Sequence, residues 1–114
     1  MTTDDQFEEQ LRTLELLSLG IRKLEAELRA ARLLTAQATV REREDDLALR
    51  RALALLHRAD DTPAAISSAE LSRLEQALRV TQKDTEEARA RDKVLEAKLD
   101  LLRRRVANAA NICE

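Results

Sequence analysis

The sequence predicts an all-α protein: a long antiparallel two-helix coiled-coil hairpin that forms part of a multi-helix assembly. Three observations carry that expectation. The composition is that of long helices, one strong breaker lies near the middle, and both halves repeat apolar residues every seven positions.

Of 114 residues, 44% are apolar and 37% charged, with one aromatic, one Gly and one Pro. The apolar share is almost all Leu and Ala, mixed with Arg and Glu, which is the usage of long helices and coiled coils. A globular core of this size ordinarily takes large buried areas from several aromatics. A single Gly and a single Pro leave little material for hairpins or phosphate-cradling loops. Such a chain turns few corners, and it reads as one hairpin over its whole length.

The first helix is expected over about residues 4–59. Asp4 and Asp5 fall at the positive end of its dipole. Gly20 lies inside it and costs about 1 kcal/mol relative to Ala. The break is Asp60-Asp61-Thr62-Pro63-Ala64-Ala65, because Pro63 cannot sit in a helix interior and pushes Thr62 toward an extended conformation. A turn over about 60–67 follows. Ser67 and Glu70 then have the spacing of a capping box, with Ile66 and Leu71 placed as a hydrophobic staple. The second helix is expected over about 68–111. At the α-helical rise the two rods are on the order of 80 and 65 Å long.

Heptad rows define the contact between them. In the first helix one row reads Phe7, Leu14, Ile21, Leu28, Thr35, Glu42, Leu49, Leu56, and its companion Leu17, Leu24, Ala31, Ala38, Asp45, Ala52, Ala59. In the second, Leu71, Leu78, Thr85, Asp92, Leu99, Val106, Cys113 run beside Leu74, Thr81, Ala88, Leu95, Leu102, Ala109. Each pair of rows is an a/d seam, apolar at its ends and softer in the middle. Folding at Pro63 brings the two soft middles together. Of two registers that fit the turn, the one expected sets Leu56 by Leu74, Leu28 by Leu102, Ala52 by Leu78, Ala31 by Leu99 and Asp45 by Thr85. Glu42, Asp45 and Asp92 on the seam need partners, and Lys83, Arg89, Arg32 and Arg41 are within reach. That reads as a wet, splayed middle held by ion pairs, or as a docking point for a partner's basic side chains.

The first helix carries a second stripe. Leu19, Ala26, Leu33, Val40, Leu47 and Ala54 repeat every seven residues about 140° from the first seam. Leu16, Ala30, Leu34 and Leu55 widen it, and the second helix has only a thin echo at Val80, Val94 and Leu101. One partner helix covers one side, so this stripe is expected to bind helices of other subunits, with Leu16, Leu19, Leu33, Val40, Leu47 and Leu55 as the contacts. The two apolar faces differ in quality, which favours a hetero-oligomer over a homo-oligomer.

Chemistry is expected to be absent: no catalytic residue, no cofactor and no metal. His57 is the single histidine and suits a helix C-terminus, while Cys113 belongs at the far end of the hairpin. Ser and Thr hydroxyls lack an activating base. Arg103, Arg104 and Arg105 are the one dense basic cluster, read as charge complementing a helix end or as contact with an acidic partner. With 20 basic against 22 acidic residues there is no general nucleic-acid face. No apolar run reaches membrane-spanning length, the N-terminus is unlike a signal or transit peptide, and one Cys offers no disulfide framework. The expected setting is intracellular and cytoplasmic.

The function these features imply is that of a scaffold or adaptor subunit, of the kind found in cytoskeletal, kinetochore or vesicle-tethering complexes. A holding chaperone for helical clients and a membrane-surface helix are the competing readings. The second sits poorly with mixed Glu and Arg on the polar face and no Trp.

Overall fold

The computed structural model describes residues 3–58 and 67–113, with side chains through residue 110. Two helices account for them: α1, Thr3–Arg58, and α2, Ser68–Cys113, with no strand among the described residues. The architecture is an all-α helical hairpin. The expected Pro63 turn, the Ile66 half of the staple and the Cys113 side chain lie outside the described residues.

Helix termini follow the sequence. Asp4 and Asp5 occupy the first turn of α1 and His57 and Arg58 its last, each sign suiting its end of the dipole. At the start of α2 the Glu70 amide donates to Ser67 Oγ at 3.2 Å, and the Leu71 amide to the Ser67 carbonyl at 3.1 Å. Ser67 is therefore the N-cap.

The chain divides into two compact units. The first unites residues 1–32 with 91–114. Its buried side chains are Leu28, Ala31 and Leu99, while Leu14, Leu17, Ile21, Leu24, Leu95, Leu102, Val106 and Ala109 are half-buried. Glu25 pairs with Arg103 at 3.8 Å, and Arg32 Nη2 donates to Glu96 Oε1 at 3.1 Å. Seven residues up α1 thus meet seven residues down α2, so the helices are antiparallel. Both pairs are largely exposed and each adds at most about 1 kcal/mol.

This unit corrects the expected register. Leu102 does not stand beside Leu28: its Cδ1 lies 3.3 Å from where a Cβ on Gly20 would be. The pairing is moved by one heptad, which places Leu102 level with Gly20 and Ile21. The physical reason is the glycine. A heptad slip preserves which rows face each other, and the position without a side chain provides room for the leucine tip.

The second unit comprises residues 33–90. Its buried residues are Ala38, Ala52, Thr85 and Ala88, with Thr85 only 1% exposed. Leu49, Leu56, Leu71, Leu74, Leu78 and Thr81 are half-buried beside them. Leu78 and Gln82 share a groove with Glu42, Arg43 and Asp46. Leu78 therefore lies near Asp46 rather than Ala52, the same displacement of one heptad, and Asp45 is not set against Thr85.

The expectation of a wet, splayed middle is also corrected. Ala38, Thr85 and Ala88 fall in that stretch, and they are among the most buried side chains of the unit. Small residues let helix backbones approach, so little volume is needed to exclude water. The buried hydroxyl is satisfied locally: Thr85 Oγ1 donates to the Thr81 carbonyl at 2.9 Å. Thr81 and Thr39 do the same toward Ala77 and Thr35, at 3.2 and 2.9 Å. Back-bonding to the preceding turn turns a seam threonine into a nearly apolar one. Glu42 and Asp45 remain half-buried at the margin.

Candidate partner-binding face

The apolar stripe of α1 follows from its sequence spacing. A helix buries one side against α2, and residues about half a revolution away have no intrachain surface to cover them. In the first unit Leu16 is 70% exposed, Leu19 is exposed, and Ala26 and Ala30 continue the strip. Leu19 opens onto a shallow groove walled by Leu11, Leu14, Ser18 and the charged stems of Glu15 and Arg22. In the second unit Leu33 is 61% exposed, and Leu34, Val40, Leu47, Ala54 and Leu55 are exposed with it. Val40 lies in a depression formed with Ala36, Gln37, Arg41 and Glu44.

All six expected contact residues (Leu16, Leu19, Leu33, Val40, Leu47 and Leu55) therefore lie at the surface. The expected seam residues lie elsewhere. Leu28 and Leu99 are buried, and Leu14, Ile21, Leu49, Leu56, Leu74, Leu78, Leu95, Leu102 and Val106 are half-buried. Phe7 departs from its row, being 55% exposed in the second turn of α1. On α2, Val80, Val94 and Leu101 are exposed singly along the helix.

Two exposed leucines escaped the periodicity. Leu11 and Leu53 share one seven-spaced row, but its other members are Ser18, Glu25, Arg32, Thr39 and Asp46. A row that is apolar only at its ends gives no repeating signal. The row between Leu53's row and the stripe is Glu8, Glu15, Arg22, Arg29, Ala36, Arg43, Arg50 and His57, acidic at one end and basic at the other. Within it Arg50 pairs with Asp46 at 3.1 Å.

All three arginines of the basic cluster on α2 are exposed. Arg103 reaches across to Glu25. His57 is exposed at the end of α1. Among the described residues no group of three or more His, Cys, Asp or Glu side chains could hold a metal ion. No helix among them is long and apolar enough to cross a membrane.

These features define a class, a coiled-coil hairpin whose longer helix is apolar on two sides. No protein-family model, curated protein or solved structure matches the chain.

Proposed function

We propose that this chain is a non-enzymatic scaffold or adaptor subunit whose α1 outer stripe packs against helices of other subunits. One observation carries the reading: Leu19, Leu33, Val40 and Leu47, members of one seven-spaced row along α1, lie at half exposure or more, in the same heptad frame as the buried seam. A helix presents such a strip to another helix. Each leucine moved from water into a packed contact contributes roughly 1.5–3 kcal/mol. The shared period of seven favours a supercoiling neighbour over a flat surface, since a straight helix lying on a bilayer drifts off that repeat. Small residues at Ala26, Ala30 and Ala54 suit close helix approach.

The reading requires no reaction and no cofactor, and it suits a water-facing, reducing compartment such as the cytoplasm. Its test is a pair of substitutions. Leu33→Asp and Leu47→Asp should leave helix content by circular dichroism within a few per cent of the parent. The same chains should lose the proteins that co-purify with the parent from its native source. Retention of those partners refutes the assignment.

A further inference from the structure

Resting on the reading above, we infer that the occupant of the α1 outer face within the second unit is a helix of another protein whose apolar stripe is flanked by glutamate or aspartate. The inference comes from the charge beside the stripe over residues 33–58. Leu33, Val40 and Leu47 are exposed in one seven-spaced row. The row on one side of them reads Ala36, Arg43, Arg50, His57, and the row on the other Gln37, Glu44, Arg51, Arg58. Those margins hold four arginines against one glutamate, and Arg41 follows directly after Val40. All five arginines are exposed. The other carboxylates of the stretch lie away from the stripe. Glu42, Asp45 and Asp46 are half-buried, and Glu42 and Asp46 border the groove that holds Leu78 and Gln82 of α2, with Arg43 at its lip. Asp46 engages Arg50, while Arg41, Arg43 and Arg51 enter no ion pair among the described residues. The corresponding margins in the first unit are balanced, with Glu8, Glu9 and Glu15 against Arg22, Lys23 and Arg29.

A surplus of one charge beside an apolar strip selects what can lie on it. In paired helices the residues flanking the apolar rows choose the partner through charge. Carboxylates at those positions would meet the arginines, whereas basic side chains would be repelled. The residue type sharpens the choice, since residues 33–58 contain no lysine. A guanidinium is a planar fork that takes a carboxylate through two hydrogen bonds. Residues 33–58 of a second copy would bring the same arginine surplus and are disfavoured. An anionic bilayer also offers negative charge, but helices lying in its interface bury bulky aromatics. This stripe has none, Glu44 sits in its margin, and its period of seven is that of a supercoiling neighbour.

The experiment measures binding of the full chain to two synthetic heptad peptides with leucine at every a and d position. One carries glutamate and the other lysine at every e and g position, so neither pairs with itself. The glutamate peptide should bind about tenfold or more tighter than the lysine peptide, and added salt should shrink the difference. Arg43→Glu combined with Arg51→Glu should invert the preference, with thermal unfolding of the hairpin unchanged. At physiological ionic strength the parent should not float with vesicles of phosphatidylserine and phosphatidylcholine. No preference between the peptides, a preference indifferent to the charge reversals, or flotation with vesicles by a chain that binds neither peptide overturns the acidic helix as occupant. None of these touches the wider scaffold reading, whose failure shows instead as Leu33→Asp and Leu47→Asp chains that keep their partners.

Discussion

Leu28 and Leu33 are five positions apart on one helix, yet Leu28 is 5% exposed and Leu33 61%. The same residue type serves opposite ends because five positions carry a side chain well over a quarter-turn away from its starting direction. On the inner side of α1 the apolar residues are enclosed by α2. On the outer side they form a strip that the hairpin cannot cover. The inner face contains small residues at Ala31, Ala38 and Ala52, all buried, while the outer face keeps its leucines and valine prominent. The seam mixes buried leucine with buried alanine, and the outer strip mixes exposed leucine and valine with Ala26, Ala30 and Ala54.

Substitutions break this comparison in order of size. Leu28→Asp should have the largest effect. Truncation of a buried leucine alone costs about 2–5 kcal/mol, and the unpaired carboxylate adds to it, so the thermal transition should fall sharply or vanish. Leu33→Asp should leave that transition within about 0.5 kcal/mol of the parent at dilutions where the chain is unassembled. Equal losses at the two positions remove the distinction between faces.

Overpacking sharpens the inner side. Ala88→Leu places bulk where the seam has none and should cost about 1–3 kcal/mol by urea unfolding. Ala97→Leu, at an exposed site on α2, should change little. A similar cost at both would mean that the helices are not closely apposed at Ala88. At the helix start, Ser67→Ala should cost about 1 kcal/mol, since the Glu70 amide loses its acceptor.

The smallest effect, Gly20→Ala, tests the register. Ala favours helix by about 1 kcal/mol, but the new methyl meets Leu102 Cδ1 at 3.3 Å. The tip of a leucine can give by a few tenths of an ångström, so a net gain under about 1 kcal/mol is expected in thermal unfolding. Pairing that gain with Leu102→Ala should enlarge it, because the obstructing methyl is gone. Additive effects would place Leu102 away from Gly20.

The helices and the Ser67 cap were legible because each rests on local chemistry: a composition without corners, a serine three residues before a glutamate, apolar residues in rows. Which side of α1 stays exposed was also legible, since it follows from angle alone. The register was not. Sliding one helix by seven residues returns the same rows to the same partners, so periodicity is blind to it, and the fit of Leu102 against Gly20, with Leu78 near Asp46, separates the choices. The closed middle was misread for a related reason. Thr85 counts as polar in a row of letters, whereas its hydroxyl is consumed by the Thr81 carbonyl and its methyl packs like an alanine's. Leu11 and Leu53 stayed hidden because an exposed leucine in a polar row breaks no pattern.

The most direct measurement is the rate of thiol labelling at Leu33→Cys and Leu47→Cys, in a Cys113→Ser background, with the chain in extracts of its native source and again after isolation and dilution. Protection of about tenfold or more in the extract, relieved on dilution, is the expected result for a face covered by other helices. Equal and fast labelling in both settings means that the strip lies open in the working protein, and it contradicts the assignment of α1 as a docking helix.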